Sequence, residues 1–339
     1  MIRHDDKAML RAAVDLTRDL AEAKPAIYWP DMLVSAGLGY AALAGTLVFH
    51  GAWALACGAL AALLLYRALL FIHELSHLHR DALPGFRLVW NVLVGIPLLT
   101  PSLMYEGVHP LHHARTRYGT LEDPEYLPLG LMKWWSLPSF MLIAGLLPVA
   151  VLLRSALLVP LGVLFPPLRR LVWARFSSLS TNPEFRRRPP DADMRPMIFW
   201  QELGATIWAL TLLASPLWFG WWPLLVAMAV ISASAVLNQL RTLAAHLWTN
   251  DGEAMTVTAQ YLDSVNVPPP SVFAALWAPV GLRYHATHHL LPSLPYHALG
   301  EAHRRLSAKF GAGSTYQSAN YASLSGLILR LAKSTMRAR

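Results

Sequence analysis

Four apolar stretches, each long enough to cross a membrane as a helix, restrict what this chain can fold into. They cover residues 32–49, 52–72, 197–219 and 222–240. About 20 apolar residues span a bilayer core of about 30 Å, and a helix satisfies all of its own backbone groups there. Only 14% of the 339 residues are charged, whereas an average soluble domain has about 25%. We therefore predict an all-α membrane protein with four transmembrane helices.

The distribution of positive charge predicts how these helices are oriented. The stretches form two hairpins with tight turns at His50-Gly51 and Gly220-Trp221, and neither turn contains Lys or Arg. All 28 Lys and Arg except Arg67 and Arg154 lie outside the apolar stretches. Cytoplasmic loops are enriched in Lys and Arg, so we expect the turns to face away from the cytoplasm. The net charge of +8 then reflects topology and contact with anionic membrane lipids, and we predict no nucleic-acid partner.

A fifth apolar stretch, 138–165, contains Arg154 and two prolines, Pro148 and Pro160. A single crossing by this stretch would place the basic segment 166–196, and every later histidine, on the outer face. We therefore expect a re-entrant or interfacial helical pair. Arg154 would lie near its turning point or reach out to the interface.

The polar segments between the apolar stretches are expected to form a cytosolic helical cap. They cover residues 73–135, 166–196 and 241–339. The sequence has no internal repeat, so we treat 1–339 as one integral-membrane domain. The single cysteine, Cys57, excludes a disulfide framework and a thiolate metal site.

Histidines cluster in four places, all in the predicted cap. The clusters are His73-Glu-Leu-Ser-His77-Leu-His79, His109-Pro-Leu-His112-His113, the single His246, and His285-Ala-Thr-His288-His289. Positions i, i+3 and i+4 share one helix face, so each cluster can direct its imidazoles at one point. The pattern HxxHH occurs twice, whereas simple counting from the histidine content predicts about 0.02 occurrences per chain.

This number and spacing of imidazoles predicts a metal centre. Imidazole suits iron, zinc, copper and nickel, and eight or nine ligands are too many for one ion. We expect two ions with positions open to a third molecule such as oxygen, for which iron is the redox-active choice. The candidate ligands are His73, His77, His109, His112, His113, His246, His285, His288 and His289. His79 is a further candidate, although it falls on another face unless the helix ends there.

Acidic and aromatic residues near the clusters are candidates for supporting roles. A carboxylate can orient a ligating imidazole through the second ring nitrogen. The candidates for that role are Glu106, Asp123, Glu125 and Asp263, whereas Glu74 directly follows His73 and is expected to point elsewhere. Glu202 begins the third apolar stretch, where an acid is a functional candidate by default unless it lies at the headgroup level. The candidate walls of a substrate tunnel are Glu202, Trp90, Trp200 and Trp248.

The three histidine boxes, HELSH, HPLHH and HATHH, with the lone His246, resemble those of the membrane fatty acid desaturase family. In that family two transmembrane hairpins carry a cytosolic cap with a histidine-ligated di-iron centre. By position the resemblance implies that the nine histidines named above are the ligands. It also implies that O₂ is used to introduce a double bond into a fatty acyl chain.

The first histidine box departs from the usual pattern of the family, and the chain lacks a haem-binding motif that some relatives have. Glu74 stands where many members of the family have Asp, which leaves the exact ligand count open. The sequence contains no haem-binding His-Pro-Gly-Gly segment. The resemblance therefore implies a separate electron donor of the ferredoxin or cytochrome type.

Two alternatives to desaturation remain. Hydroxylases of the same superfamily share the three boxes, although the wording of the third box favours a desaturase. His73-Glu74-x-x-His77 is also a literal HExxH, the motif of zinc proteases in which Glu is the general base. A single zinc would leave both HxxHH clusters and His246 unexplained, so this alternative is remote.

Overall fold

The computed structural model describes residues 4–337, and over that range the protein is helical, with isolated β-bridges and no β-strand. Residues 1–3 and 338–339 of the predicted domain lie outside the described residues. The helices are, in chain order, α1 (Lys7–Thr17), α2 (Pro25–Val48), α3 (Gly51–His77), α4 (Phe86–Gly95), α5 (His109–His112), α6 (Ser136–Leu164), α7 (Pro166–Phe176), α8 (Ala192–Phe219), α9 (Trp221–Leu243), α10 (Val257–Asp263), α11 (Ala274–Trp277), α12 (His285–Leu290), α13 (Leu299–Phe310) and α14 (Leu324–Arg337).

Five of these helices, α2, α3, α6, α8 and α9, are long and apolar enough to cross a membrane. Helices α2 and α3 form one hairpin, and α8 and α9 form the other. Gly220 makes the second turn possible because its φ of 70° is a conformation that a side chain disfavours. Large apolar side chains such as Leu38, Trp53 and Leu217 remain exposed on these helices, as expected for surfaces that contact lipid.

The spanning helices pack through small residues and short polar contacts. A Cβ atom on Gly39 would lie 2.7 Å from Leu65, so α2 and α3 can approach this closely only with glycine there. The hydroxyl of Ser234 on α9 donates to the carbonyl oxygen of Ala62 on α3 at 3.0 Å. Helix α6 packs against α9 on its other side. Close contact between small residues is the usual way in which membrane helices associate.

The fifth apolar stretch differs from the expected pair in where it turns. Helix α6 continues through Arg154 and relaxes into a π-helical turn, Arg154–Leu158, just before Pro160, which lacks a backbone N–H. The chain reverses at Phe165, whose φ of −122° and ψ of 95° are extended. Phe165 precedes a proline, which disfavours the helical conformation there. The turn therefore lies at the end of the stretch and not near its middle.

Helix α7 runs antiparallel to the second half of α6. A Cβ atom on Gly162 would lie 3.3 Å from the Cα of Arg169, and the Nε of Arg154 donates to the carbonyl oxygen of Phe176 at 2.6 Å. After α7 the backbone N–H of Thr181 donates to the oxygen of Pro124 at 2.9 Å. The chain thus returns to the loops that contain the histidines.

Arg154 is neither at the turn nor at the surface, in contrast to the expectation. Its side chain is buried and pairs with Glu202 of α8 at 2.8 Å. It also donates to the hydroxyl of Ser177 at 2.7 Å. Arg169 of α7 contacts the other oxygen of Glu202 at 2.6 Å. A cation is retained inside an apolar region when such partners compensate its lost hydration.

An extended segment, residues 264–267, joins the parts of the cap that carry the later histidines. Ser264 forms an isolated bridge with His246, and Asn266 forms one with Tyr284, which precedes α12. The side chain of Asn266 accepts from the backbone N–H of Thr287 at 3.0 Å. Through these contacts the segment fixes His246 relative to α12.

Candidate metal centre

Nine buried or half-buried histidines converge in two groups, and they are the nine candidates selected from the sequence. Within each group the nearest ring nitrogens all lie within 4.8 Å of one another. The first group contains His73, His77, His109, His113 and His288, and the second contains His112, His246, His285 and His289. Adjacent residues are divided between the groups, since His112 and His113 go to different groups, as do His288 and His289.

The first group lies where α3 ends, beside α5 and α12. His73 and His77 occupy the last turns of α3, one of the five helices that are long and apolar enough to cross a membrane. The Nε2 atom of His113 lies 3.0 Å from that of His109 and 3.1 Å from that of His288. Both ring nitrogens of His73, and the Nε2 of His77, are buried without a hydrogen-bond partner.

The second group forms around His246, which follows α9. The Nε2 of His246 lies 3.3 Å from that of His112 and 3.1 Å from that of His285. The Nε2 of His289 lies 3.2 Å from that of His285. A chain of close nitrogen pairs thus links all four side chains.

Hydrogen bonds to the second ring nitrogen fix how several of these imidazoles are protonated. The Nδ1 of His112 lies 2.9 Å from Asp123, the Nδ1 of His109 lies 2.7 Å from Glu125, and the Nδ1 of His246 lies 2.9 Å from the hydroxyl of Tyr118. Tyr118 in turn donates to Asp263 at 2.8 Å. Since Nδ1 carries the proton in each case, the three Nε2 atoms present bare lone pairs to the interior of the groups.

This arrangement fits a pair of metal ions. The Nε2 atoms of His112 and His246 face each other at 3.3 Å, while their Nδ1 atoms contact Asp123 and Tyr118. A metal cation between the two Nε2 atoms would bind both lone pairs when the imidazoles are neutral. Two nitrogens bound to one ion, each at about 2.1 Å, lie roughly 3 to 3.5 Å apart. The closest nitrogen pairs, at 3.0–3.3 Å, have this size, and an all-imidazole donor set suits iron, zinc, copper or nickel.

The electrostatics of the centre favour neutral imidazoles. Burial, with the neighbouring imidazoles, holds the pKa of His113, His285, His288 and His289 well below the usual range. His112 is different: burial opposes its charged form, yet the charge and hydrogen bond of Asp123, together with the charges of Glu125 and Asp263, raise its pKa. Neutral imidazole is the form that binds a metal.

Three of the four candidate orienting acids contact this network. Asp123 and Glu125 bind His112 and His109 directly, whereas Asp263 acts through Tyr118 and lies 3.9 Å from the Nδ1 of His246. Burial raises the pKa of Glu125 to about 7 and that of Asp263 to about 6.

Two further acids lie near the clusters but have other partners. Glu106 forms an ion pair with Arg87 and contacts no histidine among the described residues. Glu74 accepts from the Tyr28 hydroxyl at 2.5 Å and from the backbone N–H of Tyr296 at 3.0 Å. As expected, its hydrogen bonds lead away from the histidines, although one oxygen lies 3.6 Å from the Nδ1 of His73.

Several other candidates lie away from the two groups. The side chain of His79 is 82% exposed and faces Asp81, because the helix ends at His77. Trp200 is exposed on the outside of α8, and Glu202 is bound to Arg154 and Arg169. Trp248 is buried and its indole N–H donates to the carbonyl oxygen of Leu243 at 3.0 Å, so it supports the backbone behind His246.

Trp90, the remaining tunnel candidate, is also buried away from the groups. Its indole N–H donates to the carbonyl oxygen of Ala68 at 2.9 Å. It thereby fastens α4 to α3.

A cavity of about 230 Å³ opens beside the first group and extends between α3, α6 and α9. His73, Tyr105 and Glu125 line its inner end. Sequence reasoning missed Tyr105, whose hydroxyl lies 2.8 Å from both the Nδ1 of His109 and Glu125. Its spacing, one helical turn before His109, was the available signal. Sequence reasoning assigned no role to Tyr118, Arg241 or Thr181, of which Arg241 and Thr181 line the same cavity.

Comparison with known proteins bears on this centre. The chain is 48% identical over 322 residues to a protein described as a ceramide hydroxylase from Caulobacter vibrioides (strain NA1000 / CB15N). The alignment covers 93% of this chain and 90% of the relative. No solved structure gives a significant match. The fatty acid desaturase family profile matches residues 45–320, which include all nine histidines. The resemblance seen in the sequence is therefore confirmed, and the chain belongs to the fatty acid desaturase family of membrane enzymes.

Proposed function

We propose that this protein is an O₂-dependent lipid hydroxylase that acts on a ceramide or a closely similar N-acyl lipid. The observation that carries the proposal is the convergence of nine imidazoles in two groups, one member of which, His73, lines a cavity between the apolar helices. The family is typically di-iron. The two groups of five and four imidazoles would each hold one iron.

Hydroxylation replaces the desaturation that the sequence favoured. The histidine ligands are shared by both kinds of enzyme and do not separate them. The relative described as a ceramide hydroxylase matches 93% of this chain at 48% identity, and that similarity supports insertion of oxygen over removal of a second hydrogen. It also supports a sphingolipid-like substrate over a simple fatty acyl chain.

The residues of the chain have distinct tasks in such a reaction. Bound iron would supply the activation of oxygen for attack on an unactivated C–H bond. Asp123 and Glu125 hold the Nδ1 protons of His112 and His109 and so keep Nε2 available for the metal. The apolar walls of the cavity would orient the lipid and exclude water from the reacting carbon.

The cap would receive electrons from a separate donor protein of the ferredoxin or cytochrome type. The basic segments around the cap, and the absence of Lys and Arg from the hairpin turns, support a cytoplasmic location of the centre in a bacterial inner membrane. The same segments would contact anionic lipid headgroups.

The zinc-protease alternative gains no support from the site. Glu74 is engaged by Tyr28 and by the backbone of Tyr296, so it is held as a structural acceptor between α2, α3 and the cap. A single zinc bound by His73 and His77 would also leave the second group without an ion.

Expression in a ceramide-producing bacterial host that lacks ceramide hydroxylation tests the proposal. Lipid mass spectrometry of cells with the wild type should show ceramides that have gained one oxygen, and the purified protein should contain two irons per chain. His112→Ala should abolish both results, and His79→Ala, which changes an exposed histidine, should change neither. Ceramides that lose two hydrogens would restore the desaturase interpretation. No new lipid, with a donor supplied, would refute both.

A further inference from the structure

The cavity beside the first histidine group has a polar end and an apolar end. The polar end is lined by Asn238 and Arg241 in the last turns of α9 and by Thr181, which follows α7. The apolar end is lined by Leu147 and Val151 of α6 and by Ile231 of α9. The histidine groups lie toward the polar end, because Arg241 precedes His246 by five residues, and His73 and Glu125 line the same cavity.

Arg241 is a buried cation without a carboxylate partner. Only 9% of its surface is exposed, and none of the ion pairs within residues 4–337 includes it. Its Nη2 donates to the side chains of Asn238 at 3.1 Å and Thr242 at 3.2 Å, and its Nε is buried without any partner. The hydroxyl of Tyr66 lies beside the same guanidinium and donates to the carbonyl oxygen of Trp277 at 2.6 Å. An unsatisfied buried donor is costly to the folded protein, so an acceptor from a bound molecule would satisfy the Nε–H of Arg241.

Arg241 also lies near the metal centre. It precedes His246 by five residues and lines the same cavity as His73. An oxygen bound by the guanidinium would therefore lie in the cavity that the first histidine group reaches.

Thr181 provides a second unpaired group in the same cavity. Its Oγ1 is buried without a hydrogen-bond partner, and its position is fixed because its backbone N–H donates to the oxygen of Pro124 at 2.9 Å. A hydroxyl can both donate and accept. Arg241 can therefore donate to a carbonyl oxygen of a lipid head, and Thr181 can accept from an N–H of the same head.

The rest of the cavity suits a hydrocarbon chain. Along α9, the ten residues from Ile231 to Arg241 rise about 15 Å, and the facing side of α6 is apolar. A lipid bound here would place its chain between the spanning helices and its head at the end that holds the histidines.

We propose that Arg241, with Asn238 and Thr181, binds the oxygen-bearing head of the substrate lipid and thereby presents the carbons next to that head to the metals. This inference rests on the proposed function and extends it to the position of the oxidation. The shared chemistry is an acyl carbonyl head, which an N-acyl amide and a free fatty acid both carry. The hydroxyl should enter within a few carbons of the head and not in the middle of the chain.

The test compares the purified, iron-loaded enzyme on three substrates of equal chain length: a ceramide, a free fatty acid and an alkane. We expect the wild type to oxidise the ceramide near its amide. Arg241→Met should lower kcat/KM for the ceramide ~10–100-fold, mainly through KM, as for loss of a charge-assisted hydrogen bond. The variant should insert the hydroxyl at several positions of the ceramide. Its kcat/KM for the alkane should be unchanged, and it should still contain two irons per chain. Arg241→Lys should recover part of the loss.

Two further variants complete the design. Thr181→Val removes only the hydroxyl and should weaken ceramide binding in the same direction, so it carries the test if Arg241→Met does not fold. Arg330→Met changes an exposed arginine of α14 and should have no effect. Mid-chain oxidation by the wild type, or unchanged KM and position in both cavity variants, would overturn the inference. A wild type that oxidises none of the lipids would instead overturn the proposed function. If the wild type prefers the fatty acid over the ceramide, Arg241 and Thr181 keep their role in binding the head, and the substrate is a fatty acid.

Discussion

Both carboxylate oxygens of Asp123 face the Nδ1 of His112, at 3.0 and 2.9 Å. Asp123 also accepts from the backbone N–H groups of Gly119 and Glu125 at 2.8 Å each. It therefore ties an imidazole of the second group to the loop that follows α5. Such partners fix the orientation of a ligand and raise its basicity.

Asp123→Asn should weaken metal binding by the second group. The amide retains the shape but loses the charge that favours the Nδ1 proton of His112, and loss of such a partner typically costs ~10–100-fold in metal affinity. Iron retained after dialysis against increasing chelator measures the effect. The exposed acid Asp251 provides the control, since Asp251→Asn should retain iron like the wild type. Equal retention by both variants would show that Asp123 does not support the ligand.

Glu202→Gln should destabilise the protein, and we expect Glu202 to have no direct role in the reaction. Removing one partner of a buried ion pair costs about 3–5 kcal/mol, and Arg154 would lose its charged partner. Thermal unfolding in detergent measures the loss. Glu184→Gln changes an exposed glutamate 3.7 Å from Arg186 and should cost at most about 1 kcal/mol. A loss of turnover at unchanged stability would instead return Glu202 to the substrate path that the sequence suggested.

Glu74→Gln should leave the enzyme with two irons and much of its activity. The amide oxygen can still accept from Tyr28 and Tyr296. We therefore expect turnover to fall by at most roughly tenfold, which corresponds to one weakened hydrogen bond. Turnover and iron content, measured beside His77→Ala as the inactive reference, give the answer. Complete inactivation with iron still bound would mean that Glu74 takes part in the chemistry.

The stability of the metal-free protein should depend on pH. Burial first, and then neighbouring imidazoles, lower the pKa of His113, His285 and His289 in the folded chain. The unfolded chain, with histidine pKa values of about 6.5, binds more protons below that pH. The metal-free protein should therefore be most stable well above pH 6.5 and lose stability as the pH falls below it.

Unfolding temperatures at about pH 7.5 and about pH 5.5, with and without a chelator, test this dependence around the histidine pKa. The stripped protein should unfold at a lower temperature at the lower pH, because only its unfolded state gains protons there. The iron-loaded protein should unfold at the higher temperature at both pH values, because a ligand that binds only the folded state stabilises it. A stripped protein whose unfolding temperature does not fall on acidification would contradict neutral imidazoles in the metal-free groups.

The histidines could be selected from the sequence because their signal is local. Helical spacing places His109 and His113, one turn apart, in the same group, and the chance of two HxxHH patterns is small. The apolar stretches were equally readable, since the length of hydrocarbon to be crossed fixes the length of the helix.

Other features depend on contacts between distant residues. Arg154 and Glu202 are 48 positions apart, and no periodicity links them. The turn at Phe165 depends on a local effect of Pro166, but the charge of Arg154 suggested a turn in the middle. Arg241 looked like one more cation at the end of a spanning helix, and only the structure shows that its Nε lies buried beside a cavity without a partner.

The division of adjacent histidines between the two groups has a further consequence. His112 and His113 are consecutive, as are His288 and His289, yet each pair contributes one ligand to each group. An ion that binds one group therefore fixes the backbone that supports the other, so loading with metal should be cooperative and singly loaded protein should be scarce. Through the same connection, exchanging one ion would disturb the other, and the two would behave as one cofactor.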